Sequence, residues 1–216
     1  MQQEKAEIPY LISAPSDIAW SAACAAQRIN GDYRPVVNTG SNKDVMLNIL
    51  RHEPELIQEQ DVQQAFQARE WFQGQIFSLL GGALNEYMQR AAEVAIKEEI
   101  NIRMDAGILA SLPNTWLRSM RKQNIQDIIV ESASVHVGAV TEKIVRMIEV
   151  LDSKQGVSFT GWLVTATDGT NIYRFCTSVQ FNDGEAVRIQ GKIKRHDFDK
   201  ETKKPVTWLN YVKKFQ

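Results

Sequence analysis

The sequence predicts an α+β protein, with an N-terminal helical domain over residues 1–130 and a small β domain over residues 131–216. Three observations carry this expectation. Up to about Ile125, apolar residues recur at three- and four-residue steps, the spacing of one helix face; beyond it β-branched residues and period-two alternation take over. The second half also carries the tight-turn signals Asp168-Gly169 and Asn182-Asp183-Gly184. Finally, charge segregates. Ala186–Gln216 holds nine Lys/Arg against three Asp/Glu, whereas the remainder holds sixteen against twenty-three, so a +6 tail sits on a −7 body within a net charge of −1.

In chain order, Ser16-Asp17 is a candidate cap for a helix through Ile18–Arg28, and Asn30-Gly31 is its stop, because both residues tolerate left-handed backbone. The polar stretch Arg34–Lys43 reads as loop. From Asp61, the positions Val62, Ala65, Phe66, Arg69, Phe72, Ile76 and Leu80 predict an amphipathic helix stopped by Gly81-Gly82. Asn85 caps a second helix to about Asn101, with Tyr87, Ala91, Val94 and Ala95 on one stripe and Glu93–Lys97 as an i,i+4 ion pair. Pro113 starts a short helix through Trp116 and Met120.

Five strands follow: Ile144–Val150, Phe159–Thr167, Asn171–Ser178, Ala186–Arg195 and Val206–Phe215, with a polar loop at His196–Pro205. That count, with short hairpins and one longer loop, predicts a five-stranded oligonucleotide-binding (OB)-like β-barrel, with an SH3-like barrel as the competitor.

The basic segment supplies the candidate site. In Val187–Arg195 a strand turns Val187, Ile189 and Ile193 inward and Arg188, Lys192 and Lys194 outward, with Arg195 following. Adding Lys213 and the rings Trp162, Trp208 and Tyr211 gives a set suited to single-stranded nucleic acid: cations for phosphates, rings for bases. Trp208 and Tyr211 lie three apart, so a regular strand presents one of them outward, not both; Tyr173 and Phe175 are assigned to the core. A solvated outer face or a lysine-guarded edge strand is the plainer account of the same pattern.

Other chemistry finds little support. There is no phosphate-cradling GxxxxGK[ST] loop, CxxC pair or GxSxG elbow, so neither a catalytic site nor a cofactor is expected. His52, His136 and His196 are far apart with no metal-ligand spacing, and Cys24 and Cys176 read as isolated buried thiols. No apolar run reaches the roughly 18–20 residues of a membrane span, and the N-terminus has no signal-peptide pattern, which predicts a cytoplasmic protein.

Ser134-Val135-His136-Val137-Gly138, Thr141-Glu142-Lys143, Gly191-Lys192-Ile193-Lys194-Arg195-His196 and Thr207-Trp208-Leu209 resemble a β-barrel module of many tailed-bacteriophage proteins, with its "HVG…GER", "GTVKKH" and "QTxLTR" runs. The helical part is similar too, at Trp71-Phe72-Gln73-Gly74, Leu79-Leu80-Gly81-Gly82 and Ala110-Ser111-Leu112-Pro113. Thr141 replaces the usual Gly, Lys143 the usual Arg, and Tyr211 an Arg, exchanging one cation for a ring. The resemblance implies an OB-like fold and single-stranded DNA binding in phage replication or recombination, in the host cytoplasm, and supplies no catalytic site.

The expectation is therefore a single-stranded DNA-binding accessory without base-specific readout, with RNA open, oligomeric state open, and replication or recombination proteins as partners of the helical domain. The alternative is a protein-interaction module, an anti-defence or assembly adaptor with no nucleic-acid role.

Overall fold

In the computed structural model, which describes residues 12–35, 40–76, 85–156 and 160–215, the chain forms two compact units, Met1–Met120 and Arg121–Gln216. The first is built from α1 (Ser16–Asn30), α2 (Asn42–His52), α3 (Glu59–Gly74), α4 (Glu86–Ala95), α5 (Ile102–Leu109) and the start of α6 (Leu112–Glu131), with a two-stranded ladder of β1 (Ser13–Pro15) and β2 (Glu99–Asn101).

α1 is the central helix of this unit. Ala19, Trp20, Ala22, Ala23, Cys24, Ala25 and Ala26 are all fully buried, so it is enclosed nearly all round rather than on one stripe. Trp20 packs on Phe72 at 5.9 Å between ring centroids, and Phe72 meets Trp71 edge-on at 4.8 Å. Phe72 is thus core, and Trp71 packs half-buried against it. Two buried carboxylates tie the helices together. Asp61 accepts both Nε and Nη2 of Arg28, and Asp105 accepts from Arg90, Lys97 and the Asn101 N–H. Each is satisfied by charge-assisted bonds, as a buried charge requires.

Several local expectations change. Ser16 and Asp17 make no side-chain cap on α1; Pro15 occupies the cap position, while Gly31 ends the helix at φ 72° as expected. Ser41 and Asp44 form a capping box that starts α2 inside the stretch read as loop. Asn85 does cap α4, its side chain accepting from the Met88 N–H, but the helix stops at Ala95 because residues 99–101 pair with β1. Lys97 therefore bonds Asp105 and Glu93 bonds Arg90; the expected Glu93–Lys97 pair does not form. Gly81-Gly82 lies outside the described residues. α6 begins at Leu112 beside Pro113 but continues to Glu131, well past Met120.

In the second unit β3 (Lys143–Gln155), β4 (Trp162–Thr167), β5 (Ile172–Thr177), β6 (Ala186–Phe198) and β7 (Pro205–Phe215) close in the order β3-β4-β5-β7-β6. Only β5 and β7 run parallel; every other pairing is antiparallel. This is an OB-like barrel. Alternation fills its interior: Ile144, Ile148, Val164, Tyr173, Phe175, Val187, Ile189, Ile193 and Leu209 are buried together. Cys176, at the end of β5, is exposed, against the expectation of burial: on β5 it alternates with the inward Phe175. The Asp168-Gly169 hairpin forms, with Asp168 accepting from the N–H groups of Thr170 and Asn171 and from the Tyr173 hydroxyl at 2.6 Å.

Two further segments close the barrel. The run Ser134–Gly138 is sewn to strand ends: Ser134 Oγ donates to Pro205 O and accepts from Ile172 N, and Val137 N donates to Thr207 Oγ1. The His136 and His196 rings stack at 4.7 Å, each with Nε2 on a backbone carbonyl, of Asp197 and Val137 respectively. The last turns of α6 place Ile125, Ile128 and Ile129 on Leu151, Ile172, Val206 and Trp208, outside the main core.

Candidate nucleic-acid interface

The inward positions of β6 are Val187, Ile189, Gly191 and Ile193, so Arg188, Gln190, Lys192 and Lys194 point out. Gly191 is closely packed there, since a Cβ would lie 3.2–3.3 Å from side-chain atoms of Leu209 and Val212. Register then decides what stands beside the cations. Met147, Arg188 and Phe215 form one row across β3, β6 and β7; Val145, Gln190 and Lys213 the next; Lys143, Lys192 and Asn210 the third.

Two irregularities sharpen the face. Between the pairs Gln190–Lys213 and Lys192–Asn210, β7 carries an extra residue; between Ile193–Leu209 and Arg195–Trp208, β6 carries one. The extra residues are a β-bulge at Tyr211 on β7 and another at Lys194 on β6. Tyr211 adopts φ 54°, a left-handed conformation that costs a non-glycine residue about 1–2 kcal/mol, and its ring is 81 % exposed. The alternation argument thus fails at this point: the bulge lets Trp208 and Tyr211 both leave the barrel interior.

The result is an outer face on β3, β6 and β7 carrying Lys143, Arg188, Lys192, Lys194 and Lys213 around Tyr211, with Val145, Met147 and Phe215 also exposed. None of the five cations is in an ion pair among the described residues, whereas neighbouring Arg195 has Asp197 and Lys214 has Glu185. Among the described residues, Glu149 opposite Ala186 stands at one end of the face and Glu142, next to Lys143 and bonded through its carbonyl to the Ile193 N–H, at the other.

Of the residues singled out from sequence, Arg188, Lys192, Lys194, Tyr211 and Lys213 come together here. Three do not. Arg195, past the Lys194 bulge, lies 4.5 Å over the Trp208 ring and 3.4 Å from Asp197. Trp208 is half-buried against the α6 isoleucines with Arg195 on its face, which leaves little ring to offer a base. Trp162 is half-buried on the barrel core. Phe215, in the same run as Trp208 and Tyr211, joins the face, and Lys143, Val145 and Met147 complete it beyond the sequence-based set, although Lys143-x-Val145-x-Met147 against Ile144 and Ile148 is an alternation legible in the sequence.

The β4–β5 side, the face most OB folds use for oligonucleotides, is differently built. The end of α6 covers part of it, leaving a groove of about 480 Å³ in which most cations are matched by carboxylates. Lys122 pairs with Glu201, Lys154 with Asp152, and Arg174 with Asp199 at 2.6 Å. Burial works against the charge of Asp199, yet the Thr202 N–H, the Arg174 guanidinium and the Thr202 hydroxyl outweigh it and hold the carboxyl at about 2 rather than 3.8. That groove's five lysines and arginines face four carboxylates, which leaves a surplus of one for a polyanion.

Among the described residues no group of three or more His, Cys, Asp and Glu side chains is arranged to hold a metal ion, and no helix is long and apolar enough to cross a membrane. No protein-family model matches the chain, and neither a curated protein nor a solved structure matches it.

Proposed function

We propose that the barrel binds single-stranded DNA through its β3–β6–β7 face, by phosphate and ring contacts without base-specific readout. One observation carries the reading: five cations without ion-pair partners among the described residues surround a tyrosine ring held outward by a strained bulge. Charge on a solvated strand needs no such ring, and a strained non-glycine residue is most economically explained by use. Cations release counterions from the phosphates, and a ring stacks on any base because every base has a π-face. The same contacts serve RNA, since only contacts to the 2′-hydroxyl separate the two. The phage-module resemblance supports a role as an accessory of replication or recombination, with no catalytic step of its own.

Charge reversal on β6 tests the reading. Lys192→Glu with Lys194→Glu should weaken binding of a labelled oligo(dT) and flatten its salt dependence by about 1.4 in log–log slope, at roughly 0.7 per phosphate contact. Unchanged affinity and slope in a folded double variant would turn the face into ordinary solvated surface. It would then favour the protein-interaction alternative, for which Val145, Met147 and Phe215 supply the exposed apolar area.

A further inference from the structure

We infer that the strand lies lengthwise along β6, phosphates on β6 and bases leaning over β7, and that one barrel holds no more than about six nucleotides. This rests on the single-strand reading above and adds the path and the extent of the site. Three of the five cations, Lys194, Lys192 and Arg188, lie on β6 itself, and Lys143 and Lys213 flank it on β3 and β7. A strand crossing at right angles would meet only Lys143 and Lys192 in its row before reaching Asn210.

The rings agree with a lengthwise path. Tyr211 follows Asn210, the partner of Lys192, and Phe215 is the partner of Arg188, so both stand on the β7 flank. The β3 flank offers Val145 and Met147, which are apolar but do not stack. Each ring therefore sits beside a β6 cation, and both on the same side of the cation row. That is the arrangement of a strand whose backbone follows one line and whose bases fall to one side of it.

Acidic residues bracket the track. Glu149 stands at the Arg188 end, opposite Ala186 where β6 begins, and exposed Glu142 at the Lys194 end, its carbonyl accepting from the Ile193 N–H. Phosphates extending beyond the cation row at either end would meet like charge. Six residue steps from Arg188 to Lys194, at about 3.3 Å each, give a track of roughly 20 Å. At about 3.4 Å per stacked nucleotide that is close to six nucleotides, and fewer when the strand is extended.

The test is a length series of 5′-labelled oligo(dT), from three to twenty nucleotides, against the full chain at low salt. Affinity should climb steeply to about six nucleotides and then grow only with the number of registers, about sevenfold from six to twelve. Arg188→Glu and Lys194→Glu, at opposite ends of the track, should each weaken binding of the six-nucleotide strand and each lower its salt slope by about 0.7. A gain above about fiftyfold between six and twelve nucleotides would overturn the extent. Loss at Lys192→Glu with none at Arg188→Glu would overturn the path, leaving single-strand binding intact. Absence of binding at every length would overturn this inference together with the reading beneath it.

Discussion

Replacing Tyr211 by glycine separates stability from binding. The residue sits at φ 54°, where glycine is at ease, and its ring is 81 % exposed, so little packing is lost with it. Removing the left-handed strain returns about 1–2 kcal/mol, and the greater freedom of glycine in the unfolded chain takes back about 0.5–1 kcal/mol. Tyr211→Gly should therefore melt at the same temperature as wild type or slightly higher. Losing one stacked base costs about 1–3 kcal/mol, so oligo(dT) affinity should fall by roughly 5- to 150-fold. The salt slope should not move, because the missing contact carries no charge. Urea melts and fluorescence anisotropy read these quantities, with Tyr211→Phe as the control that keeps the ring. Unchanged affinity, or destabilisation beyond about 1 kcal/mol, would show that the ring serves packing and that the bulge has no part in binding.

Three other substitutions follow from the same geometry. Trp208→Ala should destabilise the barrel by about 2 kcal/mol, less than a fully buried tryptophan, and change oligo(dT) affinity by less than about threefold, as melts and titrations will read. Gly138→Ala puts a methyl 2.6 Å from Glu142 Oε2 and 2.8 Å from Ile193 Cδ1 at φ 64°. It should lower the barrel's midpoint by about 4–16 °C in a calorimetric scan. Asp199, with its carboxyl held at about 2 in the fold against 3.8 unfolded, stabilises the protein above pH 3.8 and loses that contribution as pH falls towards 2. The stability gap between wild type and Asp199→Asn should be widest above pH 4 and close between pH 4 and 2 in acid melts.

What was legible in the sequence was what is local. The alternation of Val187–Ile193, the Asp168-Gly169 turn and the core assignment of Tyr173 and Phe175 are decided by pleat and turn chemistry, and they stand as read. The full length of α6 is hard to read because Ile125, Ile128 and Ile129 are β-branched, a composition that points to strand against their helical spacing. The start of α2 is masked by the loop-like polarity of Ser41 and Asn42, although Ser41 with Asp44 is a capping signature.

The candidate face was half legible. Its cations follow from period two, but its ring does not: a bulge adds one residue and breaks the alternation that would have located Tyr211. Arg195 departs from the cation row for the same reason, since the bulge at Lys194 turns it onto Trp208. Lys143 and Met147 joined the face through cross-strand register with Lys192 and Arg188, a relation between distant segments that a single strand's pattern does not contain.

The central claim is most directly tested by anisotropy of a labelled thirty-nucleotide oligo(dT) titrated with the full chain across a salt series. Three to five phosphate contacts at roughly 0.7 each predict micromolar or tighter binding at low salt and a log–log slope of about −2 to −3.5. Absence of binding at low salt, or binding indifferent to salt, would contradict it.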